Sequence, residues 1–135
     1  MRRFQCKIGK VSQIASDLIL VDIDQNTDIE IEHVSEFKKR ALRLMNGRKC
    51  YSIINYGAYS IPTAAAREKC AHSEASTGIL GRALVVNDLG QMILAKHTLK
   101  RTKTAIPVKI FTELDKAKRW IEKLKSREIE NQLVE

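Results

Sequence analysis

Apolar positions along the chain switch between a period near two and a period near three and a half, and the switches divide it into strands and helices. Phe4, Cys6 and Ile8 alternate with polar neighbours, and the pattern resumes loosely at Val11 and Ile14, which predicts one strand. A turn at Ala15-Ser16 returns the chain into a run from Leu18 to Ile23, whose aliphatic residues suit a strand covered on both faces. The two are expected to pair as an antiparallel hairpin. Beyond the polar turn Asp24-Gln25-Asn26-Thr27-Asp28, Val34, Phe37, Ala41 and Leu44 recur at helical spacing and lay one apolar stripe along a helix. Asn46-Gly47 closes it, the glycine supplying the left-handed residue that ends many helices.

The next stretch, Cys50 to Ala71, is the predicted functional surface. Tyr51, Ile53 and Ile54 form a strand, Asn55 to Ser60 a loop, and Pro62 opens an alanine-rich helix over Thr63 to Ala71. In open α/β sheets, partners and ligands meet the chain beyond the carboxyl ends of the strands, where such a loop lies. After a polar break at 73–78 comes a short apolar strand at 81–87. Asn87 or Asp88 is placed to cap a helix whose inner face would be Leu89, Met92, Ile93 and Leu99. A basic loop at 100–104 leads to a last strand, Val108 to Phe111, and a last helix with Leu114, Ala117, Ile121 and Leu124 in line and Trp120 beside them. This order predicts an α/β fold, a mixed sheet of about five strands with an N-terminal antiparallel hairpin, covered by about four helices. Residues 1–125 would form a single domain and 126–135 a charged tail.

Composition narrows the functional class. With 135 residues, 44% of them hydrophobic and 30% charged, the chain has the make-up of one ordinary globular domain. Its start has no uninterrupted apolar run of the secretory kind, and no segment approaches the roughly 18 apolar residues of a membrane span. Cys6, Cys50 and Cys70 are odd in number and widely spaced, as in reduced thiols, so a cytoplasmic location without membrane insertion is expected. The net charge of +8 is unevenly spread. Residues 11–37 hold seven carboxylates and no Lys or Arg, so that block carries −7 and leaves +15 elsewhere.

Candidate chemistry is sparse. Asp22, Asp24 and Asn26 occupy the first, third and fifth positions of a calcium loop, but Thr27 stands where glycine is needed and His33 where a bidentate carboxylate is needed. Cys70 and His72 are two residues apart, a spacing that points ligands to different sides of a helix, so no metal and no cofactor is expected. No nucleophile lies beside a base in the sequence, and Gly78 and Gly81 lack the spacing and ending of a phosphate-binding loop. Lys96, Lys100, Arg101 and Lys103 form the densest basic cluster, without the interleaved aromatics of a nucleic-acid surface. Tyr51, Tyr56 and Tyr59 instead suit a contact surface, because tyrosine joins apolar area to a polar tip.

Together the hairpin, the acidic turn, the strand and loop at Ser52 to Tyr59, Ala66-Arg67-Glu68, the strand Ala83 to Asn87, and Pro107-Val-Lys-Ile-Phe followed by Ala117 and Trp120 are familiar. The chain resembles uncharacterised bacterial proteins grouped with STAS domains, the sulphate-transporter and anti-sigma-factor-antagonist fold, and with the CRAL-TRIO lipid-binding fold. The resemblance implies a regulatory, non-enzymatic module. In anti-sigma-factor antagonists a serine at the start of the helix after the central strand is phosphorylated. Here Asn55 stands for that strand's Asp, and Thr63-Ala64 stands where an Asp-Ser pair belongs, leaving Ser60 and Thr63 as the hydroxyls near the phosphoacceptor position. The expected function is binding of a protein partner, a second copy of the chain included, through the loop and helix start 56–67. Asn55, Tyr56, Tyr59, Ser60, Thr63 and Arg67 are its candidate contacts. The alternative implied by the lipid-binding relatives is a small apolar or anionic ligand held between sheet and helices.

Overall fold

The computed structural model describes residues 2–72, 78–102 and 104–134. Residues 73–77 of the polar break and Lys103 of the basic cluster lie outside the described residues. The elements run β1 (Arg3–Cys6), β2 (Gly9–Ala15), β3 (Leu18–Ile23), β4 (Asp28–Ile29), α1 (Ile31–Met45), β5 (Cys50–Tyr56), β6 (Ile61–Pro62), α2 (Ala64–His72), β7 (Ile79–Val85), α3 (Leu89–Arg101), β8 (Val108–Phe111) and α4 (Leu114–Val134).

Six strands make the main sheet in the order β1-β2-β3-β5-β7-β8. β1, β2 and β3 pair antiparallel, and β3, β5, β7 and β8 pair parallel. The expected hairpin is β2–β3, and the single strand predicted before it is two strands, because the chain turns at Lys7-Ile8 and pairs β1 back onto β2. Ile8 is buried at this turn, so its alternation with Phe4 and Cys6 carried the look of one strand through a reversal. Two-residue strands β4 and β6 pair parallel in a small second sheet that periodicity does not reveal.

Each parallel strand is added beside the last in one direction. Right-handed crossovers then place α1, α2 and α3 on the same face of the sheet, and α4 folds back over the other. The cores match this division. Ile19, Val21 and Ile23 meet Phe37, Leu44 and Met45 of α1 on the first face. Leu18 and Leu20 join Tyr51, Ile53, Ala83 and Val85 beneath Ala117 and Ile121 of α4 on the second. The aliphatic run of β3 is thus buried on both faces, as its composition implies. Lys125, midway along α4, bridges Asp17 in the β2–β3 turn at 2.7 Å and fastens that helix across the sheet. At the end of α1, Asn46 itself takes the left-handed conformation, φ 50°, and its amide bonds to the Leu42 carbonyl before Gly47.

The helix stripe predicted for α3 is rotated. Leu89 and Ile93 face solvent and Met92 is half-buried, while Gln91 is buried and Leu94, Ala95 and Thr98 turn inward with it, as does the predicted Leu99. An inward polar side chain decides the orientation of this helix, and the reason lies in the loop it meets.

Candidate functional site

The carboxyl ends of the strands carry three chain segments that are hydrogen-bonded to one another. Residues 24–28 follow β3, residues 57–61 follow β5, and Asp88 opens α3 after β7. Asn26 donates its amide to Ala58, Ile61 donates to Thr27, and Gly57 donates to the Ile23 carbonyl, each at 2.9 Å. Gly57 is required there, since a Cβ would lie 2.4 Å from that carbonyl oxygen.

Gln91 fixes the middle of the loop. Its Nε2 donates to the carbonyl oxygens of Gly57 at 2.8 Å and Ser60 at 3.0 Å and reaches Ser60 Oγ at 3.2 Å, while its Oε1 accepts the Asn87 amide at 2.8 Å. Buried backbone carbonyls need such donors, and one turn of helix brings a whole amide to them. Asp88 completes the attachment. One carboxylate oxygen caps α3 through the Gln91 amide, and the other accepts the Tyr59 amide, both at 2.8 Å. These backbone hydrogen bonds, from Gln91 and then Tyr59, hold the Asp88 carboxyl below the usual carboxylate range.

Tyr59 is held at φ 63°, a left-handed conformation that costs a bulky residue on the order of 1–3 kcal/mol. Its side chain is 68% exposed. Ile61 at 52% and Leu89 at 75% are exposed on the same end of the domain, with Ile31 at the start of α1 beside the β4–β6 pair. Isolated exposed apolar residues are ordinary, but several gathered on tied segments form a patch of the kind that marks a contact.

The other predicted residues have less outward roles. Asn55 donates to Asp22 Oδ1 at 3.0 Å and accepts from Asn87 Nδ2 at 3.2 Å, so the three side chains form a ladder across β3, β5 and the segment after β7. Asn87 also donates to the Tyr56 carbonyl. Thr63 Oγ1 accepts the Ala66 amide at 3.1 Å and caps α2. Arg67 turns back to donate to the Pro62 carbonyl at 2.8 Å. Ser60 is fully enclosed, with no exposed surface, so it offers no hydroxyl to a partner or a kinase in this fold. Of the two candidate phosphoacceptors only Thr63 stands at a helix start. Leu89 and Ile61 were not foreseen: Leu89 read as core by its spacing, and Ile61 has no partner periodicity to place it.

Two crevices flank α2 on the first face and share walls at Tyr56, Pro62, Arg67, Cys70 and Arg82. Counted out to solvent they hold about 690 and 830 Å³ of empty space. The space within them that water can occupy is about 80 and 90 Å³, well short of the roughly 300 Å³ of a preformed small-molecule pocket. Arg82 is buried at their floor and donates to Cys70 Sγ at 3.4 Å. Burial pushes the Cys6 thiol up, and burial followed by the charge of Asp17 pushes Cys50 up to about 11, so both stay protonated at neutral pH. No three His, Cys, Asp or Glu side chains gather as a metal site among the described residues, and no described helix is long and apolar enough to cross a membrane.

A family model described as a domain of unknown function, DUF7793, matches residues 12–125. The chain belongs to that family. No curated protein matches it. This DUF7793 domain is similar in structure to an uncharacterised protein of the DUF3478 family from Shewanella loihica, described as having a SpoIIAA-like fold. The TM-score is 0.57 and the identity 12%, with 84% of this chain and 91% of that one covered. The fold is therefore the STAS-like one expected from the sequence, a mixed sheet with an antiparallel N-terminal hairpin and four helices.

Replacing Gln91 with Leu keeps the volume and removes the donor, leaving the Gly57 and Ser60 carbonyls unsatisfied. Urea unfolding should show a loss of roughly 1–3 kcal/mol, and an unchanged midpoint would mean that the loop is held some other way. For Asp88 the folded pKa is depressed, so its contribution is complete above the ordinary carboxylate value and is lost as pH falls through the folded value. The amide protection of Tyr59 should fall over that acidic window in the native protein. In Asp88→Ala it should be low already at neutral pH and show no acidic step.

Proposed function

We propose that this domain is a non-enzymatic regulatory or interaction module that binds a protein partner through the surface built on residues 56–67 and the start of α3. We take 1–125 as the binding domain and 126–135 as its charged tail, working in the cytoplasm. The observation that carries this reading is Tyr59, a strained and two-thirds exposed tyrosine on a loop tied down at both ends. A loop so attached pays little ordering entropy on association, and a tyrosine on it offers contact area at once. Ile61 and Leu89 extend the apolar area, Thr63 caps the adjoining α2, Asn55 bonds to Asp22, and Tyr56 at the end of β5 packs against the core. The STAS-like fold supports the same class of function.

The second reading is a small apolar or anionic ligand beneath α2. It is favoured by the apolar walls of the two crevices and by the guanidinium groups of Arg67 and Arg82 in the wall they share. Such a ligand would have to widen the crevices, since the space within them is small. The exposed patch therefore ranks above the crevices.

Tyr59→Gly separates binding from folding, because glycine accepts the left-handed backbone that tyrosine strains to adopt. A photo-crosslinking side chain at Ala65, exposed at the start of α2, should yield a discrete protein adduct in the source cells, and one at Lys118 on α4 should not. Tyr59→Gly should weaken that adduct on the order of tenfold without lowering the melting temperature. Equal adducts from both positions, or none, would sink the assignment of this surface. Native mass spectrometry checks the second reading, which requires a stoichiometric small molecule that stays with the freshly isolated domain and is lost from Arg82→Leu.

A further inference from the structure

The apolar patch is flanked by carboxylates although the chain as a whole is strongly basic. Asp24 and Asp28 are exposed in the segment that hydrogen-bonds to the 57–61 loop, and Asp28 pairs directly with Ile61. Glu30 and Glu32 are exposed on either side of Ile31, and Asp88 accepts the Tyr59 amide next to Leu89. The segments that carry the patch, 24–37, 56–66 and 86–95, contain no Lys or Arg, and the nearest cations on the β3 side, Lys7 and Lys10, come from the β1–β2 turn and the start of β2, where the Asp24 amide donates to the Ile8 carbonyl. Arg67, next along the chain, turns back to the Pro62 carbonyl.

We infer that the partner presents a cationic surface with an apolar anchor, the Lys or Arg side chains meeting these carboxylates while the anchor lies on Tyr59, Ile61 and Leu89. The inference rests on the contact surface proposed above and names the chemistry of what covers it. Exposed carboxylates around an apolar centre lower the potential there, speed the approach of a positive partner and hold off a negative one. Nucleic acid and anionic membrane surfaces carry the wrong sign for this end of the molecule. The attraction falls with salt as exposed charges are screened, whereas the apolar contact does not.

The test uses the whole chain, labelled for backbone nuclear magnetic resonance, and two defined probes: an amphipathic helical peptide of Lys and Leu and its counterpart of Glu and Leu. The Lys peptide should shift the amides of Tyr59, Ile61 and Leu89, and its binding should weaken about tenfold between about 0.05 M and about 0.5 M salt. The double variant Asp24→Lys with Asp28→Lys, both side chains exposed, should weaken that binding to a similar degree while leaving the spectrum of the folded domain in place. Equal shifts from both peptides, or larger ones from the Glu peptide, would overturn the cationic partner and leave the contact surface standing. If neither peptide moves these amides, both the inference and the surface beneath it fall. Shifts of the same amides on concentrating the protein alone would make the occupant a second copy and overturn a separate partner.

Discussion

The amide of Gln91 is the interaction on which the carboxyl end of the sheet depends. A loop that leaves the central strand and returns within a few residues encloses backbone carbonyls, and enclosed carbonyls must find donors. Gln91 supplies them from the first turn of the neighbouring helix, at 2.8 Å to Gly57 and 3.0 Å to Ser60. The helix must therefore present a polar side chain to the interior, and its rotation to do so carries Leu89 and Ile93 outward. One buried hydrogen-bonding group thus both rigidifies the loop and creates the apolar surface beside it. Asp88 belongs to the same arrangement, because its two oxygens join the helix start to the strained backbone of Tyr59.

Topology explains why this end is a surface and not a cleft. Doubly wound sheets open a crevice where the strand order reverses. Here β3, β5, β7 and β8 follow one another across the sheet without reversal, and the three crossover helices share a face. The loops after β3 and β5 consequently lie against each other and bond directly, through Asn26 to Ala58 and Ile61 to Thr27. The short β4–β6 pair is the regular part of that closure. What a reversed sheet would offer as a binding slot is sealed, and the side chains that project from the seal are left exposed.

Much of the fold was legible where a segment's own pattern decides its burial. The run Leu18 to Ile23 announced a strand covered on both sides, and Val34, Phe37, Ala41 and Leu44 announced the inner face of α1. Ala117 and Ile121 are fully buried, as their spacing implied. Legibility failed where burial is set by a distant partner. Leu89 and Ile93 read as core because hydrophobicity was the only guide, and the hydrogen bonds that turn Gln91 inward span more than thirty positions of sequence. Ser60 read as an available hydroxyl because loops are usually wet, and the same amide encloses it. Tyr59 could be named as a contact from its chemistry, but its left-handed backbone has no sequence signal, since glycine or asparagine is the residue that normally marks one.

The unequal clothing of the sheet also sets an order of assembly. One face receives α1, α2 and α3 as the chain advances, while the other waits for α4, the last element in sequence. Until that helix docks, Leu18, Leu20, Ile53 and Val85 stand on an uncovered sheet face. A chain emerging from the ribosome is made from its amino end, and sheet surface left bare in that interval invites association with other chains. The outer side of α4 is charged, with Lys116, Lys118, Arg119 and Lys123 exposed. It arrives together with the apolar stripe that ends the period in which the unfinished sheet is adhesive.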